Sequence, residues 1–470
     1  MSLKSLFSAR DMTQGSAWKR IAEFAFPMLL GNFAQQLYNT ADSVIVGIYV
    51  GDNALAAVGS AMPILNLLLA LFVGISTGAG IVISQHFGAR DREGLSRAIG
   101  NCITLTALAS ILIMVVGPLL TRPFLELLGT PDSIIDWCTD YLNIFFWGIA
   151  GFFFYNMLSG ILRGMGDSFT ALLFLLVSAA LNVGLDLWFV AGFGMGVPGV
   201  ALATVIAQGL SAVLCWIKLM RMKDIFDLNL KTLKLVPAMA LRILRIGIPS
   251  GITQAIMATA GMVVQRLTNS MGETVIACNV IIMRVDGFAM LPNMTFGQAM
   301  SVYTGQNVGA GRLDRVHRGV KEGSVMALVT SAAITAILLL FGKYLFAIFT
   351  ETQALIDLAV KMMRVLAVGY ICISVTQVLG GVMRGAGDTV TPMWISIIST
   401  IFLRIPTAYL MAAITKSEAY PNGHPVSIFT SLLVSWSLGM VISIIVFRIG
   451  KWKKKMYASA AEHGNAIQNS

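Results

Sequence analysis

Charged residues are scarce in this sequence. Asp, Glu, Lys and Arg together make up 12% of its 470 residues, whereas a soluble globular protein carries about 25%. Charge is absent from long runs such as residues 98–120 and 170–185. Because a transmembrane helix needs about 20 predominantly apolar residues, these repeated runs predict a polytopic helical membrane protein and argue against a soluble domain.

Residues typical of catalytic and metal sites are also sparse. The four histidines lie near predicted loops or the tail, and they form neither a metal-ligand nor a triad pattern. The five cysteines lie in or beside apolar segments without metal-type spacing, which favours small buried side chains. No GxxxxGK[ST] motif is present, so ATP is not expected to be the direct energy source. The sequence therefore predicts neither an enzyme nor a resident cofactor.

What the sequence does contain is twelve apolar segments separated by charged or Gly/Pro-rich breaks. Their approximate limits are 24–50, 58–86, 98–121, 140–162, 169–190, 198–220, 246–270, 278–306, 322–349, 363–383, 390–413 and 427–449. We predict one transmembrane helix for each segment.

Lys and Arg cluster in alternate connections between these segments. They occur before the first segment, after the second, between the sixth and seventh, after the eighth and in the tail. The positive-inside rule then places both termini in the cytoplasm, and we expect the protein in the cytoplasmic (inner) membrane. The net charge of +10 is thus interpreted as a topology signal, and no nucleic-acid partner is expected.

An internal repeat divides the chain into two halves. The stretch LSGILRGMGDSFTAL at 158–172 recurs as LGGVMRGAGDTVTPM at 379–393, an offset of 221 residues, and Gln85 likewise recurs as Gln306. Each half holds six predicted helices in the same direction, so we expect two lobes related by an axis along the membrane normal, facing each other across a cleft. The predicted domains are an N-terminal lobe (1–220), a cytoplasmic linker (221–245), a C-terminal lobe (246–450) and a basic, polar tail (451–470).

Polar residues of the first half fall on helix faces at steps of three or four residues. The stripes consist of Gln35, Tyr38, Asn39 and Asp42 in the first segment, Ser178, Asn182 and Asp186 in the fifth, and Thr204 and Gln208 in the sixth. An ionised Asp at the centre of a spanning helix costs about 2.5–3.5 kcal/mol on insertion scales. We therefore expect Asp42 and Asp186 to face the protein interior and to serve a function.

Two acids in one site of low dielectric constant cannot both ionise without a large cost. Such a pair can take up a proton, or it can hold Na⁺ together with the oxygen atoms of Asn182 and Thr204. Either event neutralises charge and can shift the lobe between two packings. Both a proton and Na⁺ stay open as the ion that this pair binds. A pair of acids with a purely structural role is the less favoured alternative.

The sequence resembles the multidrug and toxic compound extrusion (MATE) family over residues 20–450. The resemblance rests on the duplicated RGxGD, the Q…GA stretch of each half, and LNVGLDLWFVAGFGMGVPGVALATVIAQ at 181–208. It implies an all-α fold of twelve transmembrane helices in two pseudo-symmetric six-helix lobes, V-shaped around a central cavity. It also implies export of organic, often cationic, small molecules in exchange for protons or Na⁺. Positions matching Asp42, Asn182, Asp186 and Thr204 form the family's N-lobe cation site, to which we add the neighbouring Asn39.

The second half has lost the acids of the first. At the 221-residue offset, Val263 and Thr407 replace Asp42 and Asp186. We therefore expect the coupling ion to bind in the first half only. The absence of an acid from 247–270 favours the DinF-like branch of the family over the NorM-like branch. Asp388 of the second RGAGD repeats Asp167 of the first copy, and we predict a turn and helix cap for both.

Candidate residues for a substrate cavity combine the stripes with polar residues of the second half. They are Gln35, Tyr38, Ser178, Gln208, Gln254, Arg284, Asp286 and Arg404. Arg404 could repel cationic compounds, attract anionic ones or pair with Asp286, and the ion pair is our preferred interpretation. The alternative function is a lipid-linked oligosaccharide flippase of the same superfamily, for which twelve helices and an acidic first lobe are poor support. We expect a monomer in the lipid bilayer.

Overall fold

A computed structural model describes residues 9–50, 52–127, 129–418 and 420–468. Within these ranges, the side chains of 39, 41–43, 46, 47, 52–57, 60, 63 and 463–468 lie outside the description. The described chain is helical almost throughout, and no β-strand occurs in it. This confirms the predicted all-α class.

The helices of the first half follow one another with short connections. They are α1 (Ala17–Tyr49), α2 (Asp52–Gly88), α3 (Arg92–Leu127), α4 (Asp132–Trp147), α5 (Ile149–Gly164), α6 (Ser168–Asp186), a π-helical turn (Leu187–Gly192) and α7 (Gly196–Met220).

The second half repeats this order. Its helices are α8 (Pro237–Ser270), α9 (Glu273–Gly309), α10 (Leu313–Ala347), α11 (Gln353–Ala367), α12 (Gly369–Gly385), α13 (Val390–Ile397), a π-helical turn (Ile398–Arg404), α14 (Ile405–Ile414), α15 (Val426–Ile449) and α16 (Lys451–Gln468).

Two of the predicted helices each consist of two shorter helices that meet at a bend. The segment expected at 140–162 consists of α4 and α5, which meet at 52°, and the segment expected at 363–383 consists of α11 and α12, which meet at 41°. Gly148 and Val368 lie at the two bends and are about one repeat apart. The apolar pattern continues through both bends, so hydropathy could not reveal them.

Helices of this chain are long and apolar enough to cross a membrane. Among the described residues nine helices meet this condition, or up to eleven if each bent pair is one span. The outer face of α3 presents the exposed apolar side chains of Leu108, Ile111, Leu112, Val115 and Leu119. A stripe of this kind is unfavourable in water and suits contact with lipid.

The tail differs from its prediction as a polar extension. It forms α16, in which Trp452 and Met456 are buried. These residues are one turn apart, so they share the helix face that packs on the protein. In addition, α8 begins at Pro237, inside the segment predicted as a linker.

The chain separates into two compact units. The first contains residues 1–11 and 26–251, and the second contains 12–25 and 252–470. In the first unit, α2 packs on α5; in the second, α9 packs on α12. These are equivalent pairs in the 221-residue repeat.

Glycines allow α2 and the start of α8 to approach at main-chain distance within the first unit. A Cβ atom at Gly78 would overlap Gly247, and one at Gly74 would overlap Gly251. The four glycines recur at four-residue steps, as expected for a close crossing of two helices in a membrane.

We predict that Gly247→Leu destabilises the protein by about 1–3 kcal/mol, because its side chain would enter this closed interface. The measurement is the thermal unfolding midpoint in detergent. Gly261→Ala is the matched control, since no heavy atom lies within 4 Å of its added Cβ atom. Equal midpoints for both variants would contradict the close packing.

Candidate functional site in the first unit

The polar stripe predicted in the fifth segment lies on α6 and faces inward. Ser178, Asn182 and Asp186 are at most 4% exposed. Their four-residue spacing places them on one face of the helix. A carboxylate and an amide are therefore buried one turn apart within an apolar segment.

The stripe on α7 meets this face directly. Asn182 Nδ2 donates to Thr204 Oγ1 at 3.4 Å, and Thr204 Oγ1 donates to the Val200 carbonyl at 3.1 Å. One turn away, Ser178 Oγ donates to the Ala207 carbonyl at 2.9 Å. The structure thus brings together two stripes that the sequence could place only on separate helices.

A change of helical pitch adjoins the buried acid. Asp186 is the last residue of α6, and the π-helical turn starts at Leu187. Such turns are rare and occur frequently at functional sites. On α7, Gln208 Oε1 is buried and has no hydrogen-bond partner among the described residues. Asp186, Asn182, Thr204 and Gln208 therefore supply carboxylate, amide and hydroxyl oxygens within two adjoining helices.

The stripe on α1 is only partly described. Tyr38 is buried and Gln35 is half-buried. The side chains of Asn39 and Asp42 lie outside the described residues. The pairing of Asp42 with Asp186 therefore stays a prediction.

The chemistry of the donor set limits what it can bind. No group of three or more His, Cys, Asp or Glu residues with metal-binding geometry is found in the described part of the chain. Oxygen-only donors suit a proton or a hard cation rather than a soft transition metal. The arrangement is thus compatible with either predicted coupling ion.

A partly buried acid lies in an apolar helix of the second unit. Asp286 on α9 accepts a 2.6 Å hydrogen bond from the hydroxyl of Tyr370 on α12. Arg404 ends the second π-helical turn and attracts Asp286 electrostatically. Within the described ranges, however, no nitrogen of Arg404 reaches ion-pairing distance of this carboxylate, and Arg404 Nε is buried without a hydrogen-bond partner. The predicted direct ion pair is therefore not formed, and Tyr370 is the contact partner of Asp286.

Two other candidates for the substrate cavity are exposed. Gln254 lies on α8 and Arg284 on α9. Arg284 is exposed and Asp286 is partly buried, because residues two apart on a helix point to different faces. Sequence reasoning missed Tyr370, because it is 84 residues from Asp286 and no local pattern connects them.

The duplicated RGxGD forms a helix cap in both units, as predicted. Asp167 accepts hydrogen bonds from the main-chain nitrogen (3.0 Å) and hydroxyl (2.7 Å) of Thr170. Asp388 accepts the same pair from Thr391 at 3.3 and 2.6 Å. The preceding glycines, Gly166 and Gly387, have φ angles of +86° and +88°, a region that favours glycine.

A lysine approaches each capping carboxylate. Lys218 Nζ lies 3.7 Å from Asp167, and Lys455 Nζ lies 2.8 Å from Asp388. Because these oxygen atoms are occupied by cap hydrogen bonds and a lysine, neither Asp has the surroundings of a cation site.

Comparisons with known proteins agree with this architecture. The family model MatE matches residues 27–188 and 249–410, one match in each half. The chain is 27% identical to the probable multidrug resistance protein YoeA of Bacillus subtilis, covering 94% of this chain and 95% of that protein. It is 25% identical to the probable multidrug resistance protein NorM of Thermotoga maritima, covering 93% of each.

A solved structure shares the fold. It is the outward-facing conformation of a multidrug resistance MATE family transporter of the MOP superfamily, with a TM-score of 0.88 and 23% identity. The match covers 95% of this chain and 99% of that one. The predicted polytopic helical fold is confirmed by this likeness.

We predict that Asp388→Ala lowers the free energy of unfolding by about 0.5–2 kcal/mol, because α13 loses its cap. Asp388→Ser should retain most of the stability, since a serine oxygen still accepts from the main chain. The measurement is the thermal midpoint of each purified variant, with Asp167→Ala and Asp167→Ser as the matched pair in the first unit. If the Ser variant is as unstable as the Ala variant, the contact with Lys455, and not the cap, is the stabilising interaction.

Proposed function

The chain belongs to the MATE family, and on that premise we propose that it is a secondary antiporter that exports drug-like organic compounds. The proposed exchange ion is H⁺ or Na⁺. Relatives covered over nearly their full length are named as probable multidrug resistance proteins, which supports drug efflux. Members of this family are transporters, and no enzymatic activity is assigned.

The observation that carries the proposal is the buried acid of α6. Asp186 is fully buried in a segment apolar enough to span a membrane, beside the contact between Asn182 and Thr204. An ionisable residue inside a membrane is expensive to retain and is by default part of a substrate or ion pathway. We therefore propose Asp186, Asn182, Thr204, Asn39 and Asp42 as the coupling site.

Coupling would follow from charge neutralisation. When an ion binds, the site loses net negative charge. A packing of the surrounding helices in which this site is buried then becomes more favourable. An ion can shift such an equilibrium only through its differential affinity for the two states. The duplicated halves then supply the two bodies that alternating access requires.

The coupling ion would bind in the first unit only, and the second unit would contribute to substrate binding. It carries Val263 and Thr407 in place of the two acids, which supports ion coupling through the first unit alone. The absence of an acid from 247–270 supports assignment to the DinF-like branch. Asp286 and Arg404 are partly buried charged residues of this unit. Together with Gln35, Tyr38, Ser178, Gln208, Gln254 and Arg284, they are the proposed substrate-binding residues.

We further propose a monomer in the cytoplasmic membrane with both termini in the cytoplasm. The distribution of Lys and Arg supports this orientation, and the proposed lobes are residues 1–220 and 246–450. A lipid-linked oligosaccharide flippase is not favoured, because the full-length relatives carry multidrug names.

We predict that Asp42→Asn and Asp186→Asn each abolish drug resistance conferred by this protein. The assay is susceptibility to organic cations in a bacterial host that lacks its own efflux pumps, at matched membrane levels. Asp132→Asn is the control, because Asp132 is an exposed acid at the start of α4 and its substitution should leave resistance unchanged. Resistance that survives both buried substitutions would refute the carboxylate mechanism.

The coupling ion is separable in proteoliposomes that contain the purified protein. If Na⁺ is coupled, efflux of a fluorescent organic cation continues after the pH gradient is collapsed and stops when Na⁺ is removed. If H⁺ is coupled, the two results are exchanged. If Na⁺ is coupled, Thr204→Val should weaken the flux, because Na⁺ needs the hydroxyl oxygen as a ligand. If H⁺ is coupled, the same substitution should have a smaller effect.

A further inference from the structure

The repeated Q…GA stretch has no part in the proposed coupling site, although its polar side chains are deeply buried. Gln85 at the end of α2 is 1% exposed, and Gln306 at the end of α9 is 0% exposed. Buried amides require hydrogen-bond partners. The partner of Gln306 belongs to the chain segment that leads into α1, and the partner of Gln85 is Arg242, near the start of α8.

In the second unit, the main chain before α1 is held by a set of side chains that we name the first clamp. It consists of Gln306, Asn307, Arg312, Arg315 and Glu322. Gln306 Oε1 accepts from the Met12 main-chain nitrogen at 2.9 Å. Asn307 and Arg315 both donate to the Met12 carbonyl, at 3.3 and 3.1 Å.

The same clamp holds the next residues of the segment. Arg312 donates to the Thr13 carbonyl at 2.9 Å, and Arg315 donates to the Gly15 carbonyl at 2.8 Å. Arg315 Nε is itself oriented by Asn307 Oδ1 at 3.0 Å. One arginine therefore joins two main-chain carbonyls to the buried end of α9.

Glu322 completes the clamp at the helix itself. Its carboxylate accepts from the main-chain nitrogen of Trp18 at 2.6 Å, and Trp18 is the second residue of α1. The first four N–H groups of a helix lack partners within it. A negative charge at this end also interacts favourably with the helix dipole.

In the first unit, the chain before α8 and the start of α8 are held by a second set of side chains, the second clamp, which consists of Gln85, Asn101 and Thr104. Thr104 donates to the Leu233 carbonyl at 2.6 Å and Asn101 to the Lys234 carbonyl at 3.5 Å. Asn101 Oδ1 accepts from the main-chain nitrogen of Val236 at 2.8 Å, one residue before α8 begins.

Gln85 also engages α8. Its Oε1 accepts from the Arg242 guanidinium at 2.9 Å. Close approach of the segment is possible because Gly100 has no side chain, since a Cβ atom there would overlap the carbonyl of Thr232.

The two clamps share two positions of the repeat. At the 221-residue offset Gln85 corresponds to Gln306, and Asn101 corresponds to Glu322. The clamped carbonyls correspond as well, since Met12 and Thr13 match Leu233 and Lys234. Corresponding carbonyls are thus held in both halves, but mostly by side chains at positions that do not correspond. Thr104 and Asn101 hold them in the first unit, and Asn307, Arg315 and Arg312 hold them in the second.

Each clamp belongs to the same compact unit as the start of the helix that it anchors. Most of that helix belongs to the other unit. Residues 12–25 belong to the second unit and the rest of α1 to the first, whereas 237–251 belong to the first and the rest of α8 to the second. Pro27 and Pro249 lie within three residues of these divisions. A proline removes a main-chain hydrogen bond and makes a helix easier to bend.

We propose that Gln306, Arg315 and Glu322, with their counterparts Gln85 and Asn101, are positioning residues for transport that keep the start of α1 and of α8 anchored throughout the transport cycle. The inference rests on the proposed function, because α1 carries the stripe that contains Asp42. An anchored start restricts any rearrangement of that stripe to the part of α1 beyond Pro27.

Hydrogen exchange tests the anchoring without reference to transport. The amides of Met12 and Trp18 should stay protected at acidic and alkaline pH, and with or without an organic cation. Gln306→Ala should speed exchange of Met12 by about tenfold and Glu322→Leu that of Trp18 by a similar factor, since each loses one hydrogen bond. Lys321→Ala, a change of the exposed neighbour of Glu322, is the matched control and should change neither.

Transport tests the positioning role. Glu322→Leu should lower the efflux rate per folded transporter by about tenfold, whereas Glu322→Gln should retain it because an amide oxygen still accepts from Trp18. Thermal midpoints verify that both variants are folded. In a variant without native cysteines, Thr13→Cys with Arg312→Cys, joined by a short bifunctional thiol reagent, should still export.

Three results would overturn the proposal. The first is efflux that stops on cross-linking, because the clamp would then have to open. The second is wild-type efflux by Glu322→Leu despite lost protection of Trp18. The third is loss of Met12 protection when an organic cation is added. If the wild type exports none of the cations tested, the proposed function fails, and the exchange of Met12 and Trp18 still decides whether the anchors are permanent.

Discussion

Hydrocarbon does not solvate a carboxylate, and the placement of the acids in this chain follows from that constraint. An acid within a spanning segment has to find its partners in the protein. Asp286 does so through the hydroxyl of Tyr370, and Asp186 is buried one turn from Asn182, which donates to Thr204 of α7. The acids of the RGxGD turns are occupied instead by helix capping and by lysines. Chemically identical side chains thus have different roles because their surroundings supply different partners.

Duplication preserved the scaffold of the two halves while their polar residues diverged. The bends at Gly148 and Val368, the capping turns and the clamped segments recur in both halves. The buried acids do not recur, since Asp186 corresponds to Thr407 and Asp286 to Leu65. Backbone geometry must satisfy every main-chain hydrogen bond in a membrane, so it tolerates little change. A buried polar side chain can be exchanged for an apolar one at a smaller cost, which leaves each half free to acquire its own chemistry.

Main-chain groups outside the helices face a similar demand. The segments before α1 and α8 have no regular hydrogen bonding of their own, and side chains of α3, α9 and α10 supply their partners. This explains why long polar side chains are buried at the helix ends, where a purely apolar surface would leave carbonyls unsatisfied. Gln306 contacts the main chain before α1, and Gln85 contacts Arg242 near the start of α8. The Q…GA stretch thus has a physical role in both halves that its composition alone does not indicate.

By itself the sequence determined the class of protein, the repeat, the capping turns and the polar stripes, because hydropathy and helical spacing are local properties of the chain. It also determined which residues share a helix face, as with Ser178, Asn182 and Asp186. Hydropathy could not separate α4 from α5 or locate the π-helical turns, because the apolar pattern continues through them. Only the tertiary structure decided that Tyr370, and not Arg404, contacts Asp286, that Asn182 reaches Thr204, and that Gln306 holds Met12. Those contacts join residues 84, 22 and 294 positions apart, and their formation depends on how whole helices pack, which no local pattern encodes.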